Sequence, residues 1–178
     1  MNPISTLINR ITTEDLWDKE ITLERNEYLK VKGTIDTNIY LVKSGSLRIF
    51  VIDEFEEHTI RFGYQNNLIA ALDSFLNGKP SEFYIQALKK TTLKAISKEN
   101  YTNFINSSPE NKKLWLAILE NFVLQQMERE RDILTSSPLE RYQRVLQRSP
   151  QLFQEIPNKY IASYLRMTPE TLSRIKKS

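Results

Sequence analysis

Apolar residues at Ile4, Leu7, Ile8, Ile11 and Leu16 recur at helical spacing, so the stretch from Ile4 to Trp17 is predicted to be an amphipathic helix. The period then changes. From Ile21 to beyond Leu93 the chain turns to short β-rich runs at 28–31, 39–42, 47–51, 58–62, 83–88 and 93–96. Turn signals separate them: Lys32-Gly33, Ser44-Gly45-Ser46 and Asn77-Gly78-Lys79-Pro80. Short strands at such spacing predict a small barrel or sandwich. A helical pattern returns at Ser97-Lys98-Glu99, a plausible helix start. A long helix follows from about Pro109 to about Leu134, with no internal proline or glycine. Its apolar residues are expected on two sides, Leu114, Ala117, Ile118 and Leu124 on one and Trp115, Leu119, Phe122 and Met127 on another. One side can cover the barrel. The other needs a second apolar partner, and the same helix of a second copy is the simplest; the alternative is one helix wedged into its own domain. Ser136-Ser137-Pro138 reads as a hinge.

Residues 156–178 read as a helix-turn-helix. Pro157 suits a first helical turn, and Ile161 and Leu165 share a face beside the small Ala162. Thr168 is an N-cap with Pro169 behind it, and Leu172 and Ile175 point back to the first helix. Thr171, Ser173, Arg174, Lys176 and Lys177 are left facing outward, the polar and basic surface a major-groove reader needs. A plain helical hairpin is the alternative. Charge favours the reader: from Pro138 onward there are eight basic and three acidic residues, a net +5 against +3 for the whole chain. Positive charge gathered at one end implies a polyanionic partner.

With 178 residues and 40% hydrophobic content, the chain can core one or two domains. No apolar run reaches the length of a membrane span, and the first residues lack a signal peptide, so neither membrane nor export is expected. The absence of cysteine fits a cytoplasmic protein and excludes thiolate zinc sites, iron–sulfur clusters and cysteine nucleophiles. His58 is the only histidine, so a histidine-rich metal site is excluded. It lies in the charged stretch 53–58 and is expected on an exposed hairpin rather than on haem. No glycine-rich phosphate loop is present, and no nucleophile–base pair, metal-ligand set or paired carboxylates mark an enzyme.

An N-terminal helix, a short-strand barrel, a long helix and a terminal helix-turn-helix, in that order, resemble the CRP/FNR family of bacterial transcription regulators over nearly the entire chain. The segment from Leu29 to Phe50 looks like the opening hairpins of the family's cyclic-nucleotide-binding barrel, with a glycine at each tight turn. Thr168-Pro169-Glu170-Thr171-Leu172-Ser173-Arg174 is similar to its recognition-helix signature. The resemblance implies an α+β fold: an N-terminal β-barrel of double-stranded β-helix or jelly-roll type flanked by helices, a long dimerisation helix, and an all-α helix-turn-helix domain. It implies a sensor at 1–108, a dimerisation helix and hinge at 109–137, and a DNA-binding domain at 138–178. Expected partners are double-stranded DNA, a second copy through the long helix, and RNA polymerase.

Glu170 and Arg174 match the family's acidic and basic base-reading positions. An arginine fork can donate twice to guanine, and a carboxylate can accept from cytosine. The alternative is an i,i+4 pair that only stabilises the helix. Thr168 and Thr171 are placed for phosphate, and Lys159 with Arg141, Arg144 and Arg148 would contact phosphate or keep the surface soluble. Pro169 stands where the best-known members carry another arginine, and Arg166 occupies the tight turn where glycine is common. The sequence ends at Ser178, so no β-hairpin wing is expected and affinity should be modest.

In nucleotide-binding members the barrel's short helix carries Gly-Glu-Leu, then an arginine before serine or threonine. Ala70-Ala71-Leu72 falls over the first and Ser81-Glu82 over the second, and no arginine lies between Arg61 and Arg129. Glu82 would repel an anion, and Lys79 could serve only as a point charge. Cyclic AMP is therefore not expected; another small effector, or none, is. Polar candidates for such a pocket are Tyr64, Asn67, Asp73, Ser74, Ser81 and Glu82, with Gln125 and Gln126 from the long helix; each also reads as a solvated surface residue. The competing function is a ligand-sensing or protein-interaction module that has lost specific DNA reading.

Overall fold

Asn2 starts the first helix by accepting a hydrogen bond from the Ile4 N–H, and Pro3 occupies a position where no donor is needed. This is α1 (Pro3–Thr13) of the computed structural model, which describes residues 2–177. The helix stops short of the predicted Trp17 because Asp15 turns left-handed at φ 53°. Eight strands follow: β1 (Lys19–Leu23), β2 (Tyr28–Lys30), β3 (Ile39–Ser44), β4 (Ser46–Asp53), β5 (Glu56–Tyr64), β6 (Leu68–Ile69), β7 (Tyr84–Ala87) and β8 (Thr91–Ile96). A short helix, α2 (Leu72–Asn77), interrupts them after β6.

The strands make two antiparallel four-stranded sheets, ordered β1-β8-β3-β6 and β2-β7-β4-β5, the arrangement of a jelly roll. Val42, Leu47, Ile85 and Leu93 point between the sheets and are fully buried. Each contributes about 1.5–3 kcal/mol by leaving water. The corner between β3 and β4 passes tightly under β8. Gly45 sits there at φ 91°, and a Cβ on it would lie 2.5 Å from the Lys90 carbonyl oxygen. On the other sheet β4 and β5 shift register between Ile49 and Phe50, leaving Ile60 as a bulge.

Ser97 caps α3 (Lys98–Asn106) by accepting from the Asn100 N–H, and Ser108 caps α4 (Pro109–Leu134) by accepting from Asn111. The long helix thus has its predicted bounds, but its faces divide differently. Leu114, Trp115, Ile118 and Phe122 pack towards the barrel with Phe75 and Tyr101. Leu116, Val123, Leu124 and Met127 are 56–60% exposed. At ~100° per residue, positions 114, 115, 118 and 122 fall within one narrow arc and the exposed four within another, opposite it. Leu124 therefore leaves the side of Leu114, and Trp115 and Phe122 leave the side of Met127.

The chain ends in α5 (Pro138–Arg148), α6 (Leu152–Glu155), α7 (Asn158–Tyr164) and α8 (Pro169–Ile175). Val145, Leu152, Ile161, Leu165 and Leu172 form their core, which Phe62 and Leu88 of the barrel join. Among the described residues no helix is long and apolar enough to cross a membrane.

Candidate nucleic-acid interface and effector cleft

Helices α7 and α8 cross where Ala162, with no side chain beyond Cβ, lies buried beside Ile161, Leu165 and Leu172. Arg166 makes the turn between them at φ 54°, and the Met167 N–H closes it onto the Ala162 carbonyl at 3.1 Å. Thr168 then caps α8, accepting from the Thr171 N–H at 3.2 Å, with its hydroxyl 3.1 Å from that of Thr171. Leu172 points inward. Glu170, Ser173, Arg174, Lys176 and Lys177 are left exposed, with Thr168 at the start and Thr171 half-buried. The Glu170 backbone N–H, the Thr168 hydroxyl and the Arg174 charge hold the Glu170 carboxyl below its ordinary value, so it stays an acceptor. Lys159, exposed at the start of α7, lies 4.5 Å from the Tyr160 ring centroid.

Of the three arginines expected on the basic exterior, Arg141 is buried, Arg144 half-buried and Arg148 exposed, yet each is held by a partner. Arg141 is buried and donates to the carbonyls of Thr135 (2.6 Å), Leu165 (2.8 Å) and Arg166 (3.1 Å), tying the hinge to the α7–α8 turn. Arg144 (3.0 Å) and Arg148 (2.5 Å) both grip the Asp132 carboxylate, which has no exposed surface. A buried carboxylate must be paired, and these two arginines of α5 are what pairs it. The end of α4 is thereby fixed to α5.

The same helices dock on the barrel. On the outer edge of β5 the Thr59 N–H donates to Ser163 Oγ at 3.2 Å while that hydroxyl donates to the Glu57 carbonyl at 3.1 Å. Arg48 stacks between Phe50 and Tyr160, 3.9 and 4.6 Å from the ring centroids. Tyr164 packs on Phe62 at 5.4 Å and carries the Arg129 guanidinium of α4 on its face at 3.7 Å.

Between the barrel and α4 lies a largely apolar cleft. Ile39, Ile49, Leu68, Ile69, Ala70 and Leu72 form its barrel side. Phe75, Tyr101 and Trp115 stack edge-to-face across its end, and Ile118 and Phe122 close it from α4. Arg61 is the one charged residue on this wall.

Of the residues singled out for an effector, Ala70 and Leu72 line this cleft and Ala71 is buried in the barrel core beside it. The polar ones lie apart. Ser74 Oγ accepts from the Asp36 N–H, Ser81 Oγ from the Phe83 N–H, and Asn67 from the Tyr64 N–H. Asp73 keeps one buried oxygen without a partner, Glu82 pairs with Lys32 at 2.6 Å, and Tyr64 packs towards the C-terminal helices. Gln125 and Gln126 are exposed on α4. His58 is half-buried on β5, opposite Val51. Ala71 has no carboxylate to offer a ribose, and Glu82 stands exposed in its pair with Lys32 rather than on the cleft wall. Sequence reasoning missed Arg61, Tyr101, Trp115 and Phe122 as cleft residues. The signal was a lone cation in a strand, Ile60-Arg61-Phe62, whose direction the bulge conceals.

Residues 20–108 match the family model of the cyclic nucleotide-binding domain. No curated protein matches the sequence. Among solved structures, a CooA mutant from Carboxydothermus hydrogenoformans is 17% identical with a TM-score of 0.73, over 93% of this chain and 77% of that one. FixK2 from Bradyrhizobium japonicum is 16% identical with a TM-score of 0.73, over 89% and 82%. A putative transcriptional regulator of the crp/fnr family from Eubacterium rectale is 21% identical with a TM-score of 0.67, over 98% and 85%.

Proposed function

The chain belongs to the cyclic nucleotide-binding domain family and folds throughout as CRP/FNR regulators do, and we propose that it is a homodimeric, sequence-specific DNA-binding transcription regulator controlled by a small effector other than cyclic AMP. The observation that carries this reading is the outer face of α8, where Glu170, Ser173, Arg174, Lys176 and Lys177 stand exposed on a capped helix. Arg174 and Glu170 read base edges; Thr168, Thr171, Lys159, Lys176 and Lys177 set the register on phosphates.

Leu116, Val123, Leu124 and Met127 supply the dimer seam along α4, and steps of seven and four residues between Leu116, Val123 and Met127 suit a coiled coil. Two α8 helices then enter major grooves roughly 34 Å apart. An effector in the cleft touches Trp115, Ile118 and Phe122 of the helix whose far end holds α5 through Asp132. It controls the reader only if it binds two placements of α4 with different affinity.

Selection of bound duplexes from a random pool tests this, with Arg174→Ala alongside. A two-fold-symmetric motif that the variant loses is expected. Equal, weak enrichment for both proteins refutes base reading.

A further inference from the structure

The cleft holds a cation, Arg61, that no carboxylate among the described residues neutralises. Its guanidinium instead lies 5.3 Å from the Phe122 ring centroid. Burial drags its pKa down, so the charge is held at a cost. A second polar group shares the wall. Tyr101 is 2% exposed, and its hydroxyl has no hydrogen-bond partner. A guanidinium can only donate, and the phenol is free to donate. Apolar side chains supply the rest of the lining. What completes such a site must bring acceptor oxygens, one negative charge and an apolar body.

We propose that the cleft binds an aliphatic carboxylate, its oxygens accepting from Arg61 and Tyr101 and its tail lying against Ile49, Ile69, Trp115 and Ile118. A nucleotide is a poor occupant, because its sugar and base edges would meet a wall with no matching polar groups. The cleft is the effector site of the regulator reading, so any effect of binding on DNA rests on that reading; the binding itself does not.

The test uses the full-length protein with Trp17→Phe, which leaves Trp115, on the cleft wall, as the only tryptophan. Decanoate and decanol are titrated separately and followed by tryptophan fluorescence. Decanoate should bind about tenfold tighter or more, the effect of one charge-assisted hydrogen bond. Arg61→Met should bring the two affinities together, Arg61→Lys should keep most of the preference, and Tyr101→Phe should weaken decanoate alone. Binding of neither probe, equal binding by the unsubstituted site, or a preference that survives Arg61→Met would overturn the proposal. The duplex selection is run on the same protein. An Arg174-dependent motif without decanoate binding removes only the ligand class, whereas decanoate binding without a motif removes only the DNA reading.

Discussion

Replacing Asp132 with asparagine should loosen the joint between α4 and α5 without disturbing the barrel. The native carboxylate is fully buried and receives Arg144 at 3.0 Å and Arg148 at 2.5 Å. Asparagine keeps the volume and one acceptor but loses the charge, leaving two arginines facing a neutral group. Breaking a buried pair from one side costs about 3–5 kcal/mol. Here the arginines are 20% and 31% exposed, and Arg144 retains Glu128 at 2.9 Å. Water and Glu128 soften the loss, so the lower end, about 3 kcal/mol, is expected. For a chain of this size that lowers Tm by roughly 6–12 °C. Thermal unfolding by circular dichroism gives the total, and amide exchange locates it. Protection should fall first in α5 to α8 and persist in β3, β4 and β8. A Tm within about 1 °C of the parent, or protection lost first in the barrel, would refute the argument that this pair fastens the reader.

Three further outcomes follow from the same structure. Gly45→Ala places a Cβ 2.5 Å from the Lys90 carbonyl at φ 91° and should cost about 2–4 kcal/mol in urea unfolding, strain and overpacking together. Arg141→Lys keeps the charge but cannot bridge the Thr135, Leu165 and Arg166 carbonyls; a loss of about 2 kcal/mol in the reader, with weaker binding to every duplex, is expected by amide exchange and titration. Val123→Glu with Met127→Glu puts charge on the exposed face of α4 and should give monomers in sedimentation velocity while the circular dichroism spectrum stays unchanged.

How far the sequence could be read depended on whether a residue's neighbours lie near it in the chain. Helix α4 was legible to its ends, since Pro109 and the uninterrupted pattern to Leu134 are local signals. So was the α7–α8 turn, fixed by Thr168, Pro169 and the spacing of Ile161 and Leu165. β6 and α2 span two and six residues, too few for a period to emerge. The pairing of Arg144 and Arg148 went unread because their partner, Asp132, sits across the hinge on another helix. Arg61 was hidden for a similar reason: which side of β5 it faces depends on a bulge defined only by pairing with β4.

Strand β5 pairs with β4 alone, so it is the last strand of its sheet. A bare strand margin recruits other chains. Here the hydroxyl of Ser163 satisfies the Thr59 N–H and the Glu57 carbonyl of that margin. The C-terminal helices thus shield the sheet edge, a role separate from the DNA binding proposed for them. Any state in which they swing away uncovers a template for intermolecular β-pairing, so their release carries an aggregation hazard that sets how long the undocked form can persist at cellular concentration.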